Sequence, residues 1–581
     1  MRRAIFRSRL IRSLTLAAAV APILATISVG QASADSTGTA MYSPTTTTES
    51  NAYARVIQLE HAGADNGRLL GTFEHWYDNG TASQFILRTS DAAGKNWSTL
   101  ATVSDPQTGP GHPVARMWQP FLFEFPHRIG QYPAGTILLM GNLVPADGSE
   151  TVFYSWRSTD HGHTWTPIGV VQTGGPGGTG IWEPFIGLDR AGRLITYFSD
   201  ERDAPRHSQM LDEIISTNGG DSWGPAIPIV SSAVAADRPG MPTVARMGAT
   251  GKYIMSYEVC GHANCEVRVK YSNDAANWGP ATDIGTRIVT GDNRYLGHSP
   301  HIVWLPQQRE LVLAGQNVYS TVSNQPTEEN YRAVFVNDGS GWSWAPAPWR
   351  VSNASPSCNA NYSPDLLATD DGMLRYTAPT STGSSGPCAE DTGVASVATL
   401  PFRDRFADLG EAGWDTYAGS WQLNGGVYSV GSGGADGPKA LTGSTGWRNY
   451  TVAADVQITS AAGDAGLLAR VSNPASGADS HQGYLAFFDV TAGTLTIARQ
   501  DYSYEPLASA PVVGGVGANT WYRISFAVRG SRLTATMHPA GGGSTTSVSV
   551  TDPYNSFPTG MIGLRDHAGT AAFRNVTVTP N

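Results

Sequence analysis

Charged side chains are scarce in this chain: they make up 15% of its 581 residues and leave a formal net charge of −10. No run of basic residues occurs after residue 34, so neither a nucleic acid nor an anionic membrane surface is expected as a partner. The sequence also contains no phosphate-binding loop, no Ser-His-Asp nucleophile elbow and no cluster of metal ligands. We therefore expect no cofactor and no catalytic metal.

Long apolar runs are absent after residue 34, and the one run before it extends from Leu14 to Val29. This run follows an arginine-rich segment and precedes Gln31-Ala32-Ser33-Ala34, a small-residue pattern typical of signal-peptide cleavage sites. A membrane anchor would need about 20 apolar residues with no processing site after them. We predict that residues 1–34 are a signal peptide and that the mature protein is secreted and extracellular, without a membrane partner.

Cysteine is rare as well, and the four cysteines lie at positions 260, 265, 358 and 388. In an oxidising compartment this spacing favours two local disulfides, Cys260–Cys265 and Cys358–Cys388. A zinc site is the alternative, but the spacing does not match zinc motifs and no histidine pair lies close by in the sequence.

The residues of strands and turns are abundant, with 66 Gly, 36 Pro, 16 Trp and 22 Tyr. Short apolar stretches such as Leu194–Phe198 and Tyr253–Tyr257 are bounded by Gly, Asp or Asn, as strands joined by tight turns are. No amphipathic helix of three turns is found between these stretches. The pattern predicts an all-β protein, and the length exceeds what one hydrophobic core normally holds, so at least two domains are expected.

One motif recurs in the first two thirds of the chain. Residues 158–165 read Ser-Thr-Asp-His-Gly-His-Thr-Trp, and related segments end at Trp97, Trp223, Trp278 and, in a degenerate form, Trp344. In such a turn Asp or Asn bonds to the backbone, Gly adopts a positive φ and Trp packs on neighbouring strands, so the motif belongs to the fold rather than to catalysis. The five tryptophans are 68, 58, 55 and 66 residues apart, which suits one four-stranded propeller blade per repeat. We predict a six-bladed β-propeller over residues 45–400, and the motif resembles the Asp-box of sialidases and related propeller glycosidases.

The remainder of the chain, residues 402–581, has further strand-like stretches without this motif and is predicted to be a β-sandwich of the jelly-roll type. It resembles the concanavalin-type, laminin-G-like domains that are appended to secreted glycosidases. Its role as a sugar-binding module or as a spacer stays open, as does a structural calcium in its acidic loops. The joint at Leu400-Pro401-Phe402 contains no long linker, which predicts that the two domains pack on each other. We expect a monomer.

Two glutamates have the setting that glycoside hydrolysis requires of its carboxylic acids. Glu183 lies between Trp182 and Pro184 after a glycine-rich loop, and Glu258 follows an apolar strand just before Cys260. Carboxylates in such places are partly desolvated, which raises their pKa towards the value that a general acid needs. Spacing alone also permits the interpretation of either one as an ordinary loop acid.

Several short segments follow one another in an order that resembles glycoside hydrolase family 93, the exo-1,5-α-L-arabinanases. They are Trp118-Gln119-Pro120-Phe121, Trp182-Glu183-Pro184-Phe185, Tyr197 to Arg202, Arg238 to Pro242 and Tyr257-Glu258. The resemblance implies a six-bladed propeller that releases arabinobiose from the non-reducing end of arabinan with retention. It implies Glu183 as acid/base and Glu258 as nucleophile, with the two roles exchangeable and the carboxyl groups about 5–5.5 Å apart. The candidate substrate-binding residues are Arg55, Trp118, Gln119, Trp182, Asp200, Arg238, Tyr257 and Tyr362.

Two alternatives remain open at this point. A sialidase needs three arginines around the substrate carboxylate and a tyrosine nucleophile, and Arg55 and Tyr362 are the candidates for two of these roles. However, the segment Arg55-Val56-Ile57-Gln58 lacks the proline of the sialidase motif, and Phe73-Glu74-His75-Trp76 stands where a further arginine is expected. A non-catalytic polysaccharide-binding protein is the other alternative, and it predicts no pair of facing carboxylates.

Overall fold

The computed structural model describes residues 37–46, 49–77, 83–107, 116–248, 250–383, 388–431 and 436–581. The predicted signal peptide, residues 1–34, lies outside the described residues. Within these ranges the regular structure is β-strand apart from three short 3-10 turns, Gly63–Asp65, Ala263–Cys265 and Pro356–Cys358. The prediction of an all-β protein is confirmed, and no helical segment in the described part of the chain is long and apolar enough to cross a membrane.

Six antiparallel sheets form the blades of a propeller, as predicted. The first strand, β1 (Thr39–Tyr42), joins the last blade. The next twelve strands form the first three blades: β2 (Glu49–Gln58), β3 (Leu69–Tyr77), β4 (Gln84–Ser90) and β5 (Ser98–Ser104); β6 (Arg116–Glu124), β7 (Ile137–Val144), β8 (Thr151–Ser158) and β9 (Thr166–Gly174); and β10 (Ile181–Leu188), β11 (Leu194–Asp200), β12 (Met210–Ser216) and β13 (Ile227–Val230).

The second half of the propeller repeats this arrangement and then closes it. The fourth blade contains β14 (Arg238–Met247), β15 (Lys252–Cys260), β16 (Glu266–Ser272), β17 (Thr286–Arg287) and β18 (Arg294–Gly297). The fifth contains β19 (His301–Leu305), β20 (Glu310–Ala314), β22 (Ala333–Asn337) and β23 (Ser343–Pro346), while β21 (Asn317–Ser320) extends the fourth by pairing with β18. The sixth contains β24 (Asp365–Ala368), β25 (Leu374–Ser381) and β26 (Cys388–Ala395). Because β1 pairs with β26, segments from both ends of the propeller share one sheet, which closes the ring of blades.

The tryptophan motif lies in the turns between the third and fourth strands of the blades. In the second blade Asp160 accepts hydrogen bonds from the backbone N–H and hydroxyl of Thr164, and the Trp165 indole donates to the Gly162 carbonyl at 2.9 Å. Trp97 and Trp278 make the equivalent bond to the carbonyl three residues before them. Trp344 differs, because its indole donates to Asp292 on a neighbouring loop.

Residues 402–580 form two further sheets that face each other across one apolar core. The larger sheet contains β27 (Phe402–Asp404), β29 (Ser420–Asn424), β30 (Val427–Gly431), β32 (Tyr450–Ile458), β37 (Tyr522–Arg529), β38 (Arg532–Pro539), β39 (Thr546–Thr551) and β41 (Ala571–Pro580). The smaller contains β28 (Asp415–Tyr417), β31 (Lys439–Thr442), β33 (Asp464–Ser472), β34 (Gln482–Asp489), β35 (Thr494–Asp501), β36 (Tyr504–Pro511) and β40 (Met561–His567). This is the predicted β-sandwich.

The outer face of the smaller sheet packs on the fourth and fifth blades. Side chains alternate along a strand, so Leu467 faces the sandwich core while Leu468 joins a second cluster that includes Leu313 and Trp344 of the propeller. The backbone of Trp344 exchanges hydrogen bonds with Thr445, one of which it donates to the threonine hydroxyl at 3.0 Å. Residues 33–581 accordingly form one compact unit.

Both predicted disulfides are present, Cys260–Cys265 and Cys358–Cys388. The first links the end of β15 to the turn that follows it, and the second links the 3-10 turn before β24 to the start of β26. All four sulfurs are therefore used in covalent bonds, which excludes the zinc alternative for these cysteines.

Candidate active site

Six residues with left-handed backbone surround the propeller axis, one on or just before the innermost strand of each blade. Their φ angles lie between 40° and 61°, a region that non-glycine residues rarely adopt. In the first four blades a shift of strand register marks the position as a bulge. The six residues are Tyr53, Gln119, Glu183, Met241, Ser299 and Ser363.

Side chains of the preceding blade accept the backbone N–H of five of these six residues. The backbone N–H of Gln119 donates to Glu74 at 2.7 Å, that of Glu183 to the Gln119 side chain at 3.0 Å, and that of Met241 to Ser199 at 3.0 Å. The N–H of Ser299 donates to Glu258 at 2.7 Å, and that of Ser363 to the Ser299 hydroxyl at 2.9 Å. Each bond satisfies a backbone donor that has no partner in a sheet ladder, because the donor lies in a bulge or just before a strand. The result is a chain of hydrogen bonds that passes from blade to blade around the axis, named here the axial ring.

Glu183 is a member of this ring and its carboxylate is held from two sides. Ser199 on β11 donates its hydroxyl to Oε2 at 2.5 Å, and Gln119 on β6 donates its amide to Oε1 at 3.5 Å. Burial is the largest influence on the carboxyl group and raises its pKa to about 7, against the lowering effect of the Ser199 bond and of Arg238.

Glu258 enters the same space from the second strand of the fourth blade. Its Oε2 accepts the Ser299 N–H, while Oε1 lies 3.7 Å from Cys260 Sγ and Oε2 lies 3.7 Å from His298 Nδ1. Burial again dominates and raises the pKa to about 7, and the nearby charge of Glu183 raises it further while Arg238 lowers it.

Gly240 lies between the two carboxylates. A Cβ atom at this glycine would stand 3.4 Å from Ser199 Oγ and 3.7 Å from Glu258 Oε1. Since Ser199 Oγ is itself 2.5 Å from Glu183 Oε2, Glu183 Oε2 and Glu258 Oε1 are at most about 10 Å apart, an upper limit that is compatible with paired glycosidase carboxylates. The same Cβ would stand only 2.5 Å from Gln209 Nε2, so glycine at position 240 lets the Gln209 side chain pack here.

Glu74 is a third buried carboxylate, which the sequence analysis treated only as the residue that replaces an expected arginine. It lies on β3, accepts the Gln119 N–H and has a pKa that burial raises to about 8, while Arg55 lowers it and Glu183 raises it. Four of the six ring residues were also missed by sequence reasoning, namely Tyr53, Met241, Ser299 and Ser363. Ser199, which accepts the Met241 N–H, was missed as well. A signal was present: in five blades the ring residue precedes a proline, at intervals of 58 to 64 residues.

Aromatic rings close the site near the axis. Tyr362 and Tyr53 meet edge to face with ring centroids 6.0 Å apart. Burial raises the pKa of the Tyr362 hydroxyl, and the charges of Glu183, Glu258 and Glu74 raise it further, so ionisation of this tyrosine is opposed. Trp118 and Trp182 stand side by side with centroids 6.2 Å apart.

The two candidate arginines are already engaged by the protein. Arg55 donates to the Ala54 and Ser363 carbonyls and to the Ser363 hydroxyl, and its guanidinium lies over the Tyr53 ring. Arg238 donates to Glu201, to the Gln209 side chain at 2.6 Å and to the Ser208 carbonyl.

Two residues from the sequence-based set lie elsewhere. Asp200 follows Ser199 on β11 and, because strand side chains alternate, faces away from it, where Arg202 forms a bidentate ion pair with it. Tyr257 precedes Glu258 on β15 and is fully buried in the apolar core of the third and fourth blades.

On the other side of the axial ring, between the innermost strands of the blades, lies a cavity of about 570 Å³. The inner-strand residues that follow the bulges line it, and they include Phe121, Phe185, Ile302 and Leu366. The carboxylates of Glu183 and Glu258 are not among its walls. Both carboxyl groups therefore lie outside this cavity, and Trp118 and Trp182 precede the bulges at the other end of the same inner strands.

Comparison with solved structures supports the resemblance to glycoside hydrolase family 93. A Penicillium chrysogenum α-L-arabinanase in complex with arabinobiose is 26% identical, with a TM-score of 0.52 over 62% of this chain and 98% of that chain. The family 93 α-L-arabinofuranosidase of Fusarium graminearum, also with arabinobiose, is 26% identical, with a TM-score of 0.51 over 62% and 97% of the respective chains. The resemblance drawn from the sequence motifs is confirmed at this level.

The sandwich matches a family model of its own. Residues 407–579 correspond to the 3-keto-alpha-glucoside-1,2-lyase-like domain. A search of curated proteins gave no match to the chain.

Proposed function

We propose that the protein is a secreted, retaining glycoside hydrolase that acts on α-1,5-L-arabinan from the non-reducing end and releases arabinobiose. The observation that carries the proposal is the pair of buried glutamates, Glu183 and Glu258, on one face of the axial ring, each with a pKa raised to about 7. Similarity to two solved structures that contain arabinobiose supports the choice of substrate.

In the first step Glu258 acts as nucleophile and Glu183 as acid. A Glu258 carboxylate oxygen bonds to the anomeric carbon as the bond from that carbon to the leaving oxygen breaks, and the Glu183 proton passes to this oxygen. In the second step Glu183 takes a proton from water, whose oxygen displaces Glu258 from the anomeric carbon. Two inversions give net retention, and the hydrogen bonds from Ser199 and Ser299 hold the two carboxyl groups in place throughout.

The substrate in this proposal is a neutral sugar. Three carboxyl groups, Glu74, Glu183 and Glu258, border the site, while Arg55 and Arg238 are bound to protein partners. An anionic sugar would have to displace these bonds to gain an arginine partner, which disfavours the sialidase alternative. Tyr362 is a poor nucleophile candidate because burial, together with the nearby carboxyl groups, opposes its ionisation.

We further propose that residues 45–400 carry the catalytic site and that residues 402–581 are an accessory domain. The catalytic glutamates and the axial ring lie wholly in the blades. The match of the sandwich to a domain named for an activity on sugar derivatives favours a carbohydrate as its ligand.

A substrate panel with two variants tests the proposal. Linear arabinan, branched arabinan and a sialoside are offered to the wild-type full chain. Arabinobiose is expected from linear arabinan, with far less or none released from the other two substrates. Glu183→Gln and Glu258→Gln are each expected to lower kcat on arabinan at least about 1,000-fold with unchanged far-UV circular dichroism. Glu505→Gln, on the exposed edge of the sandwich, is the matched control and keeps wild-type turnover. Hydrolysis of the sialoside, or near-normal activity of either site variant, would contradict the proposal.

A further inference from the structure

Glu74 occupies the position in the first blade that Glu258 occupies in the fourth. On β3 it pairs with Ala52, the residue before the ring member Tyr53. Glu258 on β15 pairs with Gly240, the residue before Met241, and Ser199 holds the equivalent place in the third blade. All three side chains accept the N–H of a ring residue in the next blade.

Gln119 is the ring residue that hydrogen-bonds to Glu74, and it also hydrogen-bonds to Glu183. Glu74 Oε1 accepts the Gln119 N–H at 2.7 Å, and the Gln119 side-chain oxygen accepts the Glu183 N–H at 3.0 Å. The Gln119 amide also donates to Glu183 Oε1 at 3.5 Å, and Asn142 supports Gln119 at 3.4 Å. Two short bonds thus connect a carboxyl group of the first blade to the backbone of the candidate acid in the third, and a longer one from the Gln119 amide reaches its side chain.

From this connection we infer that Glu74 is a positioning residue, which fixes the carboxyl group of Glu183 through Gln119. The inference rests on the proposed function, because it assigns Glu74 to the acid/base step. Gln119 has a left-handed backbone with φ 55°, and without an acceptor for its N–H this bulge has one fewer bond to offset its cost. Relaxation of the bulge moves the amide that orients Glu183.

The role requires an acceptor oxygen at residue 74 and not a negative charge. Burial favours the neutral carboxylic acid at neutral pH, and this form still presents a carbonyl oxygen to the Gln119 N–H. Glutamine has the same shape and the same acceptor, whereas leucine has similar volume and no acceptor. The pair Glu74→Gln and Glu74→Leu therefore separates hydrogen bonding from burial.

The test compares two substrates that differ in their need for an acid. The leaving group of linear arabinan is a sugar hydroxyl that needs a proton, whereas the 2,4-dinitrophenolate of 2,4-dinitrophenyl α-L-arabinobioside leaves without one. Loss of acid catalysis therefore slows the first step on arabinan far more than on the aryl substrate. In the full chain Glu74→Leu is expected to lower kcat/KM on arabinan about 100-fold and kcat/KM on the aryl substrate, which reports the first step alone, less than about 5-fold. Glu74→Gln is expected to stay within about 3-fold of wild type on both. Gln119→Ala breaks the second bond and is expected to repeat the Glu74→Leu pattern.

Glu213→Leu is the matched control, since Glu213 on β12 is also a buried glutamate with a raised pKa but contacts Trp278 rather than the ring. It is expected to affect both substrates equally. Equal losses of Glu74→Leu on both substrates, a Gln variant as poor as the Leu variant, or a normal Gln119→Ala would each overturn the inference. Should Glu74→Leu fail to fold, Glu74→Gln and Gln119→Ala still decide the question. If Glu183→Gln itself spares arabinan, the proposed function fails, and that result is distinct from a failure confined to Glu74 and Gln119.

Discussion

At the scale of residues, the candidate site is built from carboxyl groups whose pKa values burial raises and two arginines, Arg55 and Arg238, lower. Arg238 lowers the pKa of both Glu183 and Glu258, although about two fifths of its side chain is exposed. Its influence is thus moderated by water. In a retaining mechanism the acid limb of the pH profile reports the nucleophile and the alkaline limb reports the acid.

The Arg238→Ala variant is expected to move both limbs of the kcat/KM profile to higher pH by about half a unit. Loss of a positive charge disfavours each carboxylate, so each pKa rises, and the optimum rises with them. The control is Arg202→Ala, which breaks an ion pair with Asp200 outside the axial ring and should leave the profile unchanged. A shift of the Arg238→Ala profile to lower pH would contradict the electrostatic account of the site.

Sequence reasoning found Glu183 and Glu258 because their flanking residues carry the family motifs. It included Tyr257 among the candidate site residues, yet adjacent residues of a strand face opposite sides, and Tyr257 lies in the apolar core while Glu258 contacts the axial ring. It missed Glu74 and Ser199 because their importance comes from bonds to ring residues 45 and 42 positions later in the chain. No local pattern encodes such contacts.

At the scale of elements, the two disulfides differ in the length of the loop they close and in their distance from Glu258. Cys358–Cys388 closes a separation of 30 residues and Cys260–Cys265 one of 5. Loop-closure entropy in the unfolded chain predicts a stabilisation of about 4 kcal/mol for the longer loop and about 2 kcal/mol for the shorter. The short one, however, lies against Glu258, with Cys260 Sγ 3.7 Å from Oε1.

Paired serine substitutions separate the effect of loop length from that of the distance to Glu258. Cys358→Ser with Cys388→Ser is expected to lower the free energy of unfolding by urea more than Cys260→Ser with Cys265→Ser does, because its loop is longer. The order is expected to reverse for kcat on arabinan, where loosening the end of β15 beside Glu258 should cost about tenfold. Each pair serves as the control of the other, and a larger kcat loss in the 358/388 pair would refute the assignment.

The number of blades was predictable from the recurring tryptophan turns, but their boundaries were not. The sheet of the sixth blade includes β1, which precedes the predicted start at residue 45, since strand pairing between distant segments leaves no trace in a local pattern. Strands β18 and β21 of the fourth sheet have only four residues each, which is too short for an alternating pattern to mark them in the sequence.

At the scale of the whole molecule, the propeller and the sandwich share apolar surface. The short joint predicted packing, but the face could not be predicted, since the outer residues of β33 and β34 are as apolar as the inner ones. Leu468 and Leu485 are fully buried in the cluster shared with the blades. Arg332 of the propeller adds a bond to Asp415 at 2.9 Å and lies over the Tyr417 ring.

A chain that ends at Pro401 is therefore expected to be poorly soluble or to unfold at a lower temperature than the full chain. The cut exposes apolar side chains of the fourth and fifth blades that the sandwich covers. Thermal unfolding and binding of a hydrophobic dye measure the effect, and the full chain carrying Tyr554→Ser, at an exposed loop of the sandwich, is the control. Equal thermal stability and dye binding in the truncated and full chains would show that the sandwich does not support the propeller.

The most direct test of the central claim is to identify the residue that bonds to the sugar. The Glu183→Gln variant, treated with 2,4-dinitrophenyl α-L-arabinobioside, should form the glycosyl-enzyme readily and release it slowly, because the activated leaving group needs no acid whereas water needs a base. Rapid denaturation followed by peptide mass mapping locates the label. The account predicts arabinobiose esterified to Glu258. A label on Tyr362, or no covalent label at any point during turnover, would contradict it.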